Sequence, residues 1–375
     1  MTQTFQDLDS ALILNRVPEI GPARFAALVR HFGSPAAALS APEEALRGVE
    51  GISSAAARNV SQSSDQRDWA AREIQRSREH GVQILHWYHP AYPPLLKLLS
   101  DAPPILYCKG NLSLLSIPSI AIVGSRRATP YGEKVTRQLS AGLAELGIAT
   151  ISGLARGIDT FVHQATLDSK GSTIAVLGSG LLQVYPPENR NLAEILFKEG
   201  VIISEFPLDE APLAGHFPRR NRIVSGLALG TLVVEADEKS GALITARYAA
   251  EQGREVFAVP GPITSAVSRG PNRLIKEGAK PVHSVQDILE EIQQFRGRFS
   301  DTLHAAHKEI QNEKPRSPLN REESAVLNAL CSDPVHIDRL HQQLKFSTGA
   351  FSKVLLDLEL KGMIKTLPGK WYVRI

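Results

Sequence analysis

Residues 120–132, IAIVGSRRATPYG, decide how this chain is read. Ile120, Ala121, Ile122 and Val123 form a short, unbroken apolar run, the pattern of a strand covered on both faces. The run passes directly into Gly124, Ser125, Arg126 and Arg127; a turn through Thr129 and Pro130 follows, and a helix is predicted to start near Tyr131. A strand, a glycine turn and a helix N-terminus together make an anion site, because unpaired backbone N–H groups and the helix dipole both face the loop. Three anions suit such a loop: a dinucleotide, a nucleotide substrate, or the backbone of a nucleic acid.

The same pattern continues on either side. Apolar runs at 148–152, 173–177, 201–204, 231–235 and 255–259 are short and bounded by Gly, Ser or Pro. Amphipathic stretches such as GEKVTRQLSAGLAELG (132–147) and GALITARYAAEQG (241–253) lie between them. Apolar strands alternating with helices predict an α/β, extended Rossmann-like, doubly wound parallel sheet whose ligands sit at the carboxyl ends of the strands. VQILHW (82–87) and PILYCKG (104–110) are expected to add strands at one side.

Each strand end delivers an unusual loop. Arg156, Asp159 and His163 follow the second main strand, and Tyr185, Asn189 and Arg190 follow the third. Glu205, His216, Phe217 and the run Arg219–Arg220–Asn221–Arg222 follow the fourth, and Lys239 and Ser240 follow the fifth. Glycine lets a backbone approach a ligand closely, and arginine supplies planar paired donors for phosphate. Five such loops on one sheet edge point to an extended anion.

Other ligands fit less well. The first loop has no G-x-G-x-x-G, the second strand ends in Ser152-Gly153 rather than an acid, and Gly178 and Gly180 lie in the wrong strand. No G-x-x-x-x-G-K-[ST] occurs. Nucleotide hydrolysis is the stronger rival, since Asp159, His163, Glu205, Glu235 and Asp237 offer acid–base candidates. LALGTLVVEA (227–236) is similar to the Gly-Gly-x-Gly-Thr loop of Rossmann-like nucleotide phosphoribohydrolases. Here, however, Gly230-Thr231 leads into the strand-like Leu232-Val233-Val234, which displaces the acids.

Four segments are expected: a helical region over 1–78, the α/β domain over 79–292, a polar linker over 293–318 and a winged helix over 319–375. The glycine turns in VPEIGPARFAALVRHFG and GVEGISSAAARNV suit helix-hairpin-helix units or a plain helical bundle. The last segment has the helix and hairpin order of a winged helix, but Asp357 and Glu359 on its third helix suit a partner or regulatory contact as well as DNA. Net charge is only +3, so polyanion binding must come from local clustering. Cys108 and Cys331 are far apart and form no metal motif; both are expected to be reduced, buried thiols. No signal peptide and no apolar run near the roughly 20 residues of a membrane span is evident, so a soluble cytoplasmic protein is expected.

The loops AIVGSRRATPYG, SGLARGIDTFVHQATL, AVLGSGLLQVYPPENRNL and HFPRRNRIVSGLALGTLVVEADEKSGALITARYAAEQGREVFAVPG, in this order and spacing, closely resemble those of the DNA-processing protein A (DprA/Smf) family. The resemblance implies a homodimer that binds single-stranded DNA, protects incoming strands and loads the RecA recombinase during natural transformation, with no cofactor or metal and no substrate turnover. It places Arg126, Arg190, Phe217, Arg220, Asn221, Arg222, Lys239 and Ser240 at the strand. The residues read physically agree: Arg126 with the N–H groups of Gly124 and Ser125 holds one phosphate, and Arg190, Arg220, Arg222 and Lys239 track its neighbours, although Arg222, just before the apolar Ile223-Val224, suits a structural ion pair as well. Phe217 offers a face for a stacked base. Dimerisation is expected through VSRGPNRLIKEGAKPV (267–282), with Leu274 and Ile275 as candidates for an exposed apolar patch, although an amphipathic helix packed on the sheet gives the same pattern.

Overall fold

The computed structural model describes residues 8–292 and parts of 325–374, in two compact units, 1–307 and 308–375. The larger unit is built on nine strands: β1 (Gln83–His86), β2 (Ile105–Gly110), β3 (Ser119–Val123), β4 (Ala149–Ser152), β5 (Thr173–Leu177), β6 (Val201–Ser204), β7 (Gly230–Val233), β8 (Glu255–Ala258) and β9 (Lys280–Pro281). Their order across the sheet is β1-β2-β6-β5-β4-β3-β7-β8-β9. From β6 through β9 neighbouring strands run parallel, while β1 and β2 extend the β6 side antiparallel. The six apolar runs of the sequence thus become the six central strands, and the two earlier runs add to one side as expected.

Crossover helices link the parallel strands: α8 (Pro130–Glu145), α9 (Ile158–Asp168), α10 (Arg190–Glu199), α11 (His216–Gly226), α12 (Gly241–Glu251) and α13 (Arg269–Lys276). The pleat sorts side chains to two faces. Ile120 and Ile122 pack on one side with Leu139 and Leu143 of α8 and Ile158 and Val162 of α9. Ala121 and Val123 pack on the other with Ile223 and Val224 of α11 and Ala242 and Ala246 of α12. Strand order reverses at β3, because the chain leaves toward β4 but returns through α11 to β7 on its other side. Such a switch point opens a crevice at the carboxyl ends of the strands.

The preceding helices are α1 (Leu8–Arg16), α2 (Pro22–Phe32), α3 (Pro35–Leu39), α4 (Glu43–Arg47), α5 (Ser54–Ser61), α6 (Arg67–Glu79) and, beside β2, the short α7 (Pro94–Lys97). Leu12, Leu14, Leu28 and Val29 share one hydrophobic cluster with Tyr107, Leu177 and Ile202 of the sheet, so helices and sheet share a core. The two glycine turns are tied together. Arg24 donates to the carbonyls of Glu19 (2.8 Å) and Gly51 (2.9 Å), and the Ser53 hydroxyl donates to the Glu19 carboxylate (2.8 Å).

In the smaller unit, strands Val335–His336, Ile364–Leu367 and Trp371–Arg374 form an antiparallel sheet beside the helix Ile337–Leu344. Val326, Leu330, Leu340, Phe351, Val354, Leu355 and Leu358 fill its core. The linker over 293–318, Cys331, and the acidic Asp357 and Glu359 lie outside the described residues. Cys108 is buried in β2, and burial pushes its thiol pKa up. Among the described residues no helix is long and apolar enough to cross a membrane.

Candidate nucleic-acid interface

A cleft of about 710 Å³ opens at the switch point. The β3–α8 loop contributes Gly124, Ser125, Arg126 and Arg127; α11 contributes Phe217, Pro218, Arg220 and Asn221; the β7–α12 loop contributes Asp237, Lys239 and Ser240. Two loops and a helix, separate in the sequence, therefore line one concavity.

Arg126 is exposed, with its guanidinium carbon 5.6 Å from the centroid of the Phe217 ring. Phe217 is half-buried, and a Cβ added at Gly178 would stand 3.0 Å from its ring, so glycine there lets the aromatic lie against backbone. Tyr185 adds a second ring 5.7 Å away, inclined at 52°. Lys239, also lining the cleft, is exposed, its backbone N–H held by the Asp237 carboxylate at 2.7 Å. Ser240 caps α12, accepting from the N–H of Ala242 at 3.3 Å, and Gly241 opens the helix with free space where a side chain would stand. Among the described residues Arg126, Arg127 and Lys239 have no ion-pair partner.

The arginines of α11 divide by helical phase. Phe217, Arg220 and Asn221 stand at i, i+3 and i+4 and share the cleft face. Arg220 is buried at the floor, donating to the carbonyls of Gly153 and Val176 at the ends of β4 and β5, with Nε 3.2 Å from the Asn221 side-chain oxygen. Burial lowers its pKa to about 10, which Arg126 reinforces and Asp159 opposes. Arg222 is a correction to the expected set. The helix turns it to the opposite face, where it is buried against Glu205 (2.6 Å) and the Asp101 carbonyl (2.7 Å). Treated as a loop, HFPRRNR lets both Arg220 and Arg222 reach the ligand; wound as a helix, it sends them to different faces. Arg190 also falls outside: it is exposed at the first position of α10 and does not line the cleft. Its neighbour Asn189 is buried, donating to the Leu154 carbonyl and the Thr160 hydroxyl, each at 2.9 Å.

The helix N-terminus that first suggested an anion site is already filled. The Glu235 carboxylate, delivered by the end of β7, accepts the Thr129 N–H at 2.9 Å and the Thr129 hydroxyl. A Cβ at position 132 would collide with this carboxylate, so Gly132 makes room for it. The remaining acid–base candidates are also committed. Asp159 is buried and takes the N–H groups of Gly153 (3.0 Å) and Ala155 (3.3 Å); burial raises its pKa, opposed by Arg220 and these N–H donors. His163 is buried with Nδ1 2.7 Å from the Thr173 hydroxyl, and burial pushes its pKa down to about 3. Glu205 binds Arg222 and Arg219. Asp237 is the exception, an exposed acid of the cleft whose carboxylate accepts the Lys239 N–H.

Residues that sequence reasoning left out of the site also belong to it. Arg127 and Asp237 line the cleft, and Tyr185 joins Arg126, Gly153, Gly178 and Phe217 around a small adjoining recess. The signal for Arg127 was its place beside Arg126; that for Tyr185 was its loop at the end of β5. Nothing in the pattern pairs Tyr185 with Phe217 across 32 positions of sequence.

The family model described as DNA recombination-mediator protein A matches residues 83–293, the whole sheet unit that carries the cleft. The chain belongs to the DprA/Smf family. Two further family models, the DprA-like N-terminal HHH domain and the DprA winged helix domain, match residues 6–62 and 311–370. Protein Smf of Escherichia coli (strain K12) is 42% identical over 285 residues, covering 76% of this chain and 75% of its own. The X-ray structure of DprA from Streptococcus pneumoniae superposes with a TM-score of 0.67 at 35% identity, covering 76% of this chain and 97% of that one. A DprA structure from Helicobacter pylori, described for its single-stranded DNA binding mode, gives 0.51 at 32% identity over 57% of this chain and 96% of that one. This DprA/Smf chain thus combines the α/β domain with both flanking domains anticipated from its sequence.

Proposed function

We propose that the switch-point cleft binds single-stranded DNA, and that the protein acts by binding strands rather than by turning over a substrate. The observation that carries this reading is the pairing of exposed, unpaired cations with an aromatic face. Arg126 stands over Phe217, Tyr185 adds a second ring beside it, and Lys239 lines the same cleft. Exposed cations suit successive phosphates, and an aromatic ring amid them suits an unstacked base. A duplex keeps its bases stacked and offers none to a concave pocket. The binding mode described for the Helicobacter pylori relative supports the same ligand class. Acids tied to structural partners speak against hydrolysis. In this reading the protein shields strands taken up in natural transformation and hands them to the RecA recombinase in the cytoplasm.

The functional unit is proposed to be a homodimer. A groove of about 620 Å³ between α12 and α13 is walled by Leu243, Ile244, Val256 and Leu274 and shares Lys239 and Ser240 with the cleft. A second copy seated there brings two clefts together on one strand.

The test is a mobility-shift comparison of single- and double-stranded oligonucleotides of one sequence, with Phe217→Ala alongside. Preference for the single strand is expected, with the variant weaker by about 1–3 kcal/mol. Equal affinity for duplex, or a folded Phe217→Ala that binds like wild type, contradicts the assignment.

A further inference from the structure

We propose that Glu235 is the positioning residue of the cleft: a resident anion, held at the N-terminus of α8, that sets the 124–129 loop and with it Arg126. The inference rests on the DNA-binding reading above and adds the device that holds the loop in place.

Glu235 is 3% exposed. A buried carboxylate is unfavourable unless hydrogen bonds and local charge compensate it. Here the compensation comes from one place, the first turn of a sixteen-residue helix. One oxygen takes the Thr129 N–H, the other the Thr129 hydroxyl, and that hydroxyl in turn accepts from the Gly132 N–H at 3.1 Å. The absent side chain of Gly132 provides the space.

The loop is consequently fastened at both ends to the same neighbouring strand. Val123 pairs with Val233, and its carbonyl accepts from the Val234 N–H at 3.1 Å. Six residues later, Thr129 is held by Glu235, the residue after Val234. Between these anchors the Ser125 carbonyl accepts from the Ile158 N–H at 3.1 Å, while Arg126 stands free over Phe217. Neither Glu235 nor Thr129 lines the cleft, so Glu235 acts on a bound strand through the loop and not by contact. Because the α8 N-terminus is occupied from within, phosphates of the strand are left to side chains such as Arg126 and Lys239.

The experiment uses full-length wild type, Glu235→Ala, Arg126→Ala and the double variant. It measures affinity for an oligothymidylate across a salt series and hydrogen exchange of the 124–129 amides. Glu235→Ala is expected to speed exchange in 124–129 and to flatten the log K against log[salt] slope by about 0.7, the value of one single-strand phosphate contact. In the Arg126→Ala background it should cost nothing further. Acetate at constant ionic strength, refilling the carboxylate position, should reverse both effects in Glu235→Ala and leave wild type unchanged. Unchanged exchange in 124–129, or an equal loss of affinity with and without Arg126, overturns the proposal. If Glu235→Ala does not fold, the near-isosteric Glu235→Gln removes the charge and turns one acceptor oxygen into a donor, and the exchange and salt-slope comparisons apply to it without the acetate arm, because the amide fills the site. If Arg126→Ala itself leaves binding intact, the DNA assignment of the cleft fails, and the exchange data alone decide the role of Glu235.

Discussion

Arg126 and Arg222 bracket what an arginine does in this molecule. The first is exposed over an aromatic ring; the second is sealed between Glu205 and a carbonyl. Removing one member of a buried ion pair costs up to about 3–5 kcal/mol, and here it leaves the buried Glu205 with only the exposed Arg219 as counter-charge. Arg222→Ala should therefore lower the denaturation midpoint sharply while the salt slope of DNA binding in the folded fraction stays at wild type. Arg126→Ala should do the reverse, keeping stability and flattening the slope by about 0.7. Exchanged outcomes would show that the helical phase of α11 has been misassigned. His163 supplies a pH signature. Its pKa is about 3 in the fold against 6.5 for the free side chain. The unfolded chain therefore takes up the proton first, and stability falls as pH drops below 6.5, at about 1.4 kcal/mol per pH unit until the folded pKa is reached. Urea denaturation at pH 7 and pH 5 should show a loss of about 2 kcal/mol, which His163→Gln should largely remove. An equal loss in the variant would assign the pH dependence to other groups.

At the scale of elements, the groove between α12 and α13 is the feature most open to challenge. Leu274 and Ile275 suited either an exposed patch or a helix face packed on the sheet; both are half-buried, and Leu274 packs on the sheet core while lining the groove. Leu274→Glu places a charge in that groove and should yield a folded monomer by light scattering. Its affinity should fall most for long oligonucleotides, since two linked sites gain about 10²–10⁴ in avidity. A variant that stays dimeric removes the groove from the interface. The six central strands were legible because their short runs are dominated by Ile, Val, Leu and Ala, with few polar residues beyond small hydroxyls and acids at the strand ends, and Gly or Pro marked their ends. The short β9 was not, since Lys280–Pro281 carries no apolar run. Within the cleft, residues next to a strand-terminating glycine were legible, whereas for Arg222 a strand contact and a structural ion pair both stayed open, because the choice depended on a helix beginning at His216. The occupation of the α8 N-terminus by Glu235 was equally hidden: it needs β3 and β7 to be neighbours, which is a property of topology and not of either segment.

Across the whole molecule, a net charge of +3 offers no general attraction for a polyanion, so binding has to arise where cations are left unpaired. The cleft does this with Arg126, Arg127 and Lys239, while the first glycine turns spend Arg24 on their own carbonyls. The central claim is thus that the sheet unit, and neither the helical hairpins nor the winged helix, holds the strand. It is tested most directly by irradiating the full-length protein with an oligonucleotide carrying 4-thiothymidine and mapping the cross-linked peptides. Cross-links to 124–127, 185, 217–221 and 237–241 are the result predicted. Cross-links confined to 8–61 or to 319–375, with the cleft untouched, would contradict it.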